Sequence, residues 1–193
     1  MITTLIFDFG GVLTTTKFFP RLAEEFGRTY HLDPELVRKR LYKHEHASLL
    51  GQESLEEFWE KTCKDLGIPL DALIHAFMSY ELSPKMFAYL RMLKDKYLLV
   101  LHSDNFALRV AMIRKDPHFE IFDRMYFSNE IGMPKTTEEA FRHVLTDLGK
   151  RPEECVFIDD KSANLAPARK VGMHTILFTD FEQLQIDLEK LGI

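Results

Sequence analysis

The sequence lacks the features that would assign it to several specialised classes of protein. Its 193 residues include only two cysteines, Cys63 and Cys155, in unrelated contexts, so a disulfide framework is not expected. The formal net charge of −5 offers no basic footprint for nucleic acid. No apolar run approaches the length that crosses a bilayer, and the N-terminus has no signal-peptide pattern. These absences predict a cytoplasmic protein that binds neither nucleic acid nor a membrane.

What is present is an ordinary globular composition with strands and helices in alternation. With 46% hydrophobic residues, the chain can bury one substantial core, or a core and a smaller insert. After residue 83, short apolar runs alternate with amphipathic helical patterns, which predicts an α/β fold with a parallel sheet. Residues 17–82 carry only helical patterns and follow the first strand, Thr3–Phe7. This stretch is predicted to be an inserted helical cap.

Polar residues stand where predicted strands end. They are Asp8, Ser103, Lys135 in the loop before the next helix, and the pair Asp159–Asp160. Because the carboxyl ends of parallel strands lie on one edge of a sheet, these residues are expected to meet in one crevice. Gly10 and Gly11 directly follow Asp8, and glycine lets backbone amides come close to an anion.

This set of side chains suits a divalent metal ion beside a phosphoryl group. Magnesium binds through a few carboxylates together with substrate phosphate and water. Without a cation, Asp8, Asp159 and Asp160 would repel each other and resist ionising together. Lys135 could neutralise phosphoryl oxygens, and Ser103 could donate a hydrogen bond to one of them.

The motif order hhhhDxxG, hhhS, K and hhhDD resembles the haloacid dehalogenase-like hydrolase superfamily. VFIDDKSANLAPARKVGMHTILF and GMPKTTEEAFRHVL are similar to its capped, phosphatase-like group, which includes the N-terminal domain of soluble epoxide hydrolase. The resemblance implies a Rossmann-like core with strand order 5-4-1-2-3, formed by residues 1–16 and 83–193. The helical cap would span residues 17–82.

The resemblance also implies roles for the matching positions. Asp8 would be the nucleophile that forms an aspartyl-phosphate. Mg²⁺ would be held by Asp8, the carbonyl of Gly10, Asp159 and Asp160. Substrate would be bound by Gly10, Gly11, Ser103, Asp104 and Lys135. Of these, Ser103 and Lys135 would hold the phosphoryl oxygens. Asn164 is expected to orient the metal carboxylates rather than touch substrate.

The sequence departs from the family pattern at Gly10, where related phosphatases usually carry a second aspartate. That aspartate protonates the leaving group and then activates water, and such help is worth ~10²–10⁴ in rate. Its absence predicts a slow enzyme, a substrate with a good leaving group, or a substitute acid. Asp104 is one candidate for that acid. The alternative is that Asp104 caps the helix that begins near Phe106.

Three functional hypotheses follow. The favoured one is a magnesium-dependent phosphatase, a monomer or homodimer, that acts on a small phosphorylated metabolite. A 2-haloacid dehalogenase would use the same nucleophile without a metal, which leaves the pair Asp159–Asp160 unexplained. A non-catalytic module that binds phosphate or a partner would have little reason to keep Asp8, Ser103 and Lys135 together.

Overall fold

The computed structural model describes residues 1–193 and contains five strands and ten α-helices. The strands are β1 (Thr4–Phe7), β2 (Leu98–Ser103), β3 (Arg124–Phe127), β4 (Cys155–Asp159) and β5 (His174–Leu177). The helices before β2 are α1 (Phe18–Tyr30), α2 (Pro34–Leu49), α3 (Leu55–Thr62), α4 (Leu70–Met78) and α5 (Pro84–Leu93). Those after β2 are α6 (Ala107–Ile113), α7 (Ser128–Ile131), α8 (Glu138–Leu148), α9 (Ser162–Lys170) and α10 (Phe181–Lys190). None of these helices is long and apolar enough to cross a membrane.

The strands form one parallel sheet in the order β3-β2-β1-β4-β5. Counted from its other edge this is 5-4-1-2-3, so the prediction of an α/β fold with a Rossmann-like parallel sheet is confirmed. The central strand β1 pairs with β2 on one side and with β4 on the other. The residues that follow β1 and β4 are therefore neighbours at the carboxyl edge of the sheet.

Alternating side chains of the sheet serve two separate cores, as expected for strands covered on both faces. Leu5 and Phe7 of β1 point into a cluster of 21 buried residues that includes side chains of α5 and α10. Ile6 points the opposite way, into a cluster of 12 buried residues with side chains of α8 and α9. Helices on both faces hold the sheet edge that carries Asp8 in a fixed position.

Helices α1–α4 surround a third cluster of 13 buried residues. Phe106, from the loop before α6, inserts into this cluster and lies 4.5 Å from Phe77 between ring centroids. The chain enters and leaves this helical region through adjacent segments, because Thr14 and Leu82 form an antiparallel bridge. The division into a core and a cap at residues 17–82 stays a prediction, and this packing agrees with it.

Short helices follow the carboxyl ends of β2 and β3. The apolar run from Met125 ends as a strand at Phe127, because Ser128 begins the one-turn helix α7. Gly132 closes that turn in the left-handed conformation, with φ of 69°. Helix α6 spans only Ala107–Ile113, and Phe106 is its N-cap residue.

Candidate active site

Four charged side chains meet at the carboxyl edge of the sheet. We call Asp8, Lys135, Asp159 and Asp160 the strand-end cluster. Lys135 Nζ lies 2.5 Å from Asp8 Oδ1 and 2.7 Å from Asp159 Oδ2. Lys135 is only 2% exposed and Asp159 is fully buried, so both ion pairs are shielded from water. The topology thus brings together residues that are 127 positions apart in the chain.

Three carboxylates of the strand-end cluster could share one cation. Asp8, Asp159 and Asp160 each offer an oxygen, and these atoms all lie within 4.8 Å of one another. Both carboxylate oxygens of Asp160 are buried, and no backbone amide or neutral side chain donates a hydrogen bond to them. Its one charged contact is Lys17 Nζ, 2.6 Å from Oδ2, on a side chain that is 58% exposed. Hard oxygen donors with unsatisfied lone pairs are the ligands that magnesium takes.

Gly11 allows the backbone to lie close to the carboxylate of Asp160. Its φ is +81°, a conformation that side-chain-bearing residues adopt at a cost. A Cβ atom there would lie 2.7 Å from Asp160 Oδ2. Gly10 is different, because a Cβ atom at that position would meet nothing within 4 Å. Gly11 is therefore required by the geometry of Asp160, whereas Gly10 leaves space open.

Burial and mutual charge set the ionisation of the cluster. Burial raises the pKa of Asp8 above its ordinary range, and the charges of Asp159 and Asp160 add to this, while Lys135 opposes it. For Lys135 itself, burial acts to lower the pKa, but Asp159, Asp8 and Asp104 outweigh it. The pKa of Lys135 consequently lies above its usual value, and the residue stays a cation in the site.

Asp159 is held in place by three donors. Besides Lys135, Asn164 Nδ2 donates to its Oδ2 at 3.0 Å, and the backbone amide of Lys161 donates to its Oδ1 at 2.7 Å. Asn164 contacts the carboxylate from the first turn of α9, the arrangement predicted for a residue that orients a metal ligand. These bonds fix the Asp159 carboxylate toward Asp8.

Ser103 and Asp104 lie where β2 ends. Ser103 is only 2% exposed, and its Oγ accepts a hydrogen bond from Asn105 Nδ2 at 3.4 Å. Asp104 Oδ1 accepts the backbone N–H of Lys135 at 3.0 Å. The prediction that Asp104 caps α6 is wrong: Phe106 is the N-cap residue and no side chain caps that helix. Asp104 instead anchors the loop that carries Lys135, a contact between distant segments that local spacing could not reveal.

A cavity of about 300 Å³ opens above the sheet edge, between the core and the helical region. From the core, it is lined by the predicted site residues Asp8, Gly10, Ser103, Asp104, Lys135, Asp160 and Asn164. Gly11 and Asp159 do not line it: Asp159 is fully buried and contacts Lys135, and Gly11 packs against Asp160. All the strand-end residues singled out in the sequence thus belong to one place in the fold.

The cavity also contains residues that the sequence analysis did not single out. Tyr42, Glu45 and Leu49 of α2 line its roof at helical spacing, and Lys17 and Arg109 line its sides. Arg109 stacks over the ring of Phe18, 3.6 Å from its centroid, and donates to the carbonyl of Phe77 at 3.0 Å. For Glu45, the available signal was its place between Tyr42 and Leu49 on one helix face.

One protein-family model, that of the haloacid dehalogenase-like hydrolases, matches residues 2–172. The chain belongs to this family. It is therefore a hydrolase, and its relatives include phosphatases. The resemblance of its four motifs to that superfamily is confirmed.

Three curated relatives illustrate the match. A drimenol cyclase from Aspergillus calidoustus is 25% identical over 99% of this chain but 37% of its own length. A bifunctional epoxide hydrolase 2 from Rattus norvegicus is 41% identical over 36% of this chain and 13% of its own length. The chain therefore spans well under half of these two proteins. A sesquiterpene phosphatase from Aspergillus oryzae is 26% identical over 96% of this chain and 94% of its own length.

Solved structures agree with the fold. A predicted haloacid dehalogenase-like hydrolase from Porphyromonas gingivalis has a TM-score of 0.75 and 28% identity, covering 99% of this chain and 98% of that one. An enzyme of the same family from Bacteroides thetaiotaomicron, in complex with magnesium and inorganic phosphate, has a TM-score of 0.73. It is 22% identical and covers 95% of this chain and 99% of its own.

Proposed function

We propose that this hydrolase is a magnesium-dependent phosphatase that acts on a small phosphorylated metabolite through an aspartyl-phosphate at Asp8. The observation that carries the proposal is the group of three carboxylates, Asp8, Asp159 and Asp160, whose oxygens lie within 4.8 Å of one another. Buried charges need partners, and these three carboxylates share only two cations. Lys135 contacts Asp8 and Asp159, and the exposed Lys17 contacts Asp160. A divalent cation would supply the missing positive charge.

The residues that would hold Mg²⁺ are Asp8, Asp159 and Asp160, with the carbonyl of Gly10 as the family resemblance implies. A bound ion would stabilise negative charge on the phosphoryl oxygens and favour the ionised form of Asp8. The donor set, all oxygen, suits this ion better than zinc or copper.

The remaining residues have distinct tasks in the proposed reaction. An oxygen of Asp8 attacks phosphorus, and the ester P–O bond breaks as the alcohol oxygen leaves. Lys135 Nζ lies 2.5 Å from Asp8 Oδ1 and would balance charge on the transferring group. Ser103 Oγ, at the end of β2, would donate to a phosphoryl oxygen. Water then cleaves the aspartyl-phosphate, which releases inorganic phosphate and restores Asp8.

The relatives support a phosphate ester as the substrate class. A sesquiterpene phosphatase aligns along nearly the whole chain, and a D-ribitol-5-phosphate phosphatase from Bacteroides thetaiotaomicron is 24% identical over 91% of it. Their substrates differ widely in polarity, so they favour the phosphoryl chemistry rather than one metabolite. The Bacteroides structure with magnesium and phosphate lends the same support to the metal.

The test is hydrolysis of an aryl phosphate with Mg²⁺ and with a chelator. We expect turnover only with the metal, and none in the Asp8→Asn variant, which should fold normally. Asp95→Asn, the same change at an exposed turn residue before β2, is the matched control and should behave as wild type. Beryllium fluoride with Mg²⁺ should raise the thermal midpoint of the wild type, because it mimics a phosphoryl group on Asp8.

Two results would favour the other hypotheses. Halide release from a 2-haloacid, undiminished by chelator, would identify a dehalogenase. Binding of phosphate with no turnover of any phosphate ester would identify a non-catalytic module.

A further inference from the structure

The proposed reaction lacks a proton donor beside the nucleophile. Gly10 has no side chain, and the space where its Cβ would stand is open. Asp104, the candidate in the sequence, is held by the backbone amide of Lys135 at 3.0 Å. Lys135 is ion-paired with Asp8 and Asp159, so it is not a free acid. A donor for an alkoxide leaving group must therefore come from another wall of the cavity.

Glu45 is the one carboxyl group that the cap contributes to this cavity. It lies on α2, on the same face as Tyr42 and Leu49, and all three line the space above Asp8 and Gly10. Glu45 is half-buried, yet its carboxyl group forms no hydrogen bond and no ion pair with any other residue. An uncommitted carboxyl group at the roof of a site is free to interact with bound substrate.

We propose that Glu45 is the general acid and base of this enzyme, replacing from the cap the carboxyl group that Gly10 lacks. This inference rests on the proposed phosphatase function. In the first step, Asp8 bonds to phosphorus, the ester P–O bond breaks, and Glu45 gives its proton to the departing alkoxide. In the second step, the Glu45 carboxylate takes a proton from water, whose oxygen bonds to phosphorus as the bond to Asp8 breaks. Glu45 thus ends as it began.

The surroundings of Glu45 suit an acid that works near neutral pH. Burial raises the pKa of Glu45 to about 7, opposed by Lys161 and assisted by Asp104. Lys161 directly follows Asp160, and Asp104 directly follows Ser103. The charges that act on the Glu45 carboxyl group therefore belong to the core side of the cavity. The other charged or titratable groups around the cavity are Tyr42 on the same helix, Lys17, Arg109 and the strand-end cluster.

The test compares substrates that differ in how much protonation their leaving group needs. Turnover of an alkyl phosphate and of an aryl phosphate is measured in wild type and in Glu45→Gln. We expect the alkyl-to-aryl ratio of kcat to fall by about 10²-fold in the variant. In wild type, kcat on the alkyl phosphate should fall as pH rises through about 7, since the acid loses its proton, and this limb should vanish in the variant.

Three further variants make the result decisive. Glu56→Gln, the same change at an exposed residue of α3, should leave the ratio unchanged. Gly10→Asp in the Glu45→Gln background should restore alkyl phosphate turnover, because the space at Gly10 is open. Glu45→Asp keeps a carboxyl group, so it should retain the fall in kcat with rising pH. This variant keeps the proposal testable if Glu45→Gln folds poorly.

Several outcomes would overturn the role of Glu45 while leaving the phosphatase intact. One is a loss on both substrates by the same factor, which indicates a structural role. Another is an unchanged ratio, and a third is a selective loss in Asp104→Asn instead. If wild type hydrolyses neither substrate with Mg²⁺, the proposed function itself fails, and the two failures are thereby distinguished.

Discussion

Lys135 Nζ lies 2.5 Å from Asp8 Oδ1, in a pair that is almost completely buried. The same nitrogen contacts Asp159, so a single cation is shared by two carboxylates. Both carboxylates also belong to the group of oxygens that could hold a metal ion. Lys135 and a bound divalent ion would therefore both neutralise the negative charge of Asp8 and Asp159.

Replacing Lys135 by Met should destabilise the metal-free protein. Removing one partner of a buried ion pair leaves uncompensated charge, which costs about 3–5 kcal/mol. We expect a lower free energy of unfolding in chelator, a larger stabilisation by Mg²⁺ than in wild type, and little turnover. Urea unfolding with and without Mg²⁺ measures this. Lys85→Met removes the partner of Glu182, in an ion pair that is exposed on both sides, so it should change stability only slightly. An equal effect of both variants would contradict the argument.

Asp160→Asn should remove most of the response to magnesium. In wild type, a ligand at 100 times its Kd stabilises the folded state by about 2.7 kcal/mol. The amide keeps the shape of the side chain but has only one oxygen and no charge, so Mg²⁺ affinity should fall. Thermal unfolding across a Mg²⁺ titration tests this, together with aryl phosphate turnover. Unchanged midpoints and unchanged metal dependence would remove Asp160 from the set of ligands.

Much of the sheet and the strand-end cluster could be predicted because each signal is local. An apolar run followed by a carboxylate marks the end of a buried strand, and parallel order then gathers such ends at one edge. The bond between Asp104 and the amide of Lys135 joins segments 31 residues apart, so no local pattern contains it. Glu45 was missed for a related reason: its role depends on how the cap lies over the core.

Gly11 and Gly10 should respond in opposite ways to alanine. Gly11→Ala combines a left-handed backbone, which costs about 1–2 kcal/mol for other residues, with a Cβ 2.7 Å from Asp160 Oδ2. We expect it to lower both stability and Mg²⁺ affinity. Gly10→Ala meets open space and is expected to change the free energy of unfolding by no more than about 0.5 kcal/mol. Equal behaviour of the two variants would contradict the close approach of Gly11.

His102 of β2 should limit the stability of the protein in acid. Its ring is fully buried against Phe141 and Phe157, and neither nitrogen has a hydrogen-bond partner. Burial, with help from Lys135, lowers the pKa of His102 well below 6.5. Below pH 6.5, His102 therefore binds a proton in the unfolded chain but not in the folded chain. The free energy of unfolding is therefore unaffected by this group above pH 6.5. Below pH 6.5 it falls by about 1.4 kcal/mol per pH unit for this one group.

His102→Leu should remove that loss, because leucine fills the apolar site without titrating. We expect the variant to be more stable than wild type at pH 7.5, since an unsatisfied buried polar group costs about 1–3 kcal/mol. The difference should widen between pH 6.5 and pH 5.5, as measured by urea unfolding in chelator. His174→Gln, a change at an exposed histidine of β5, should keep the wild-type pH dependence. A constant difference between His102→Leu and wild type across this range would show that His102 titrates alike in both states, against the burial argument.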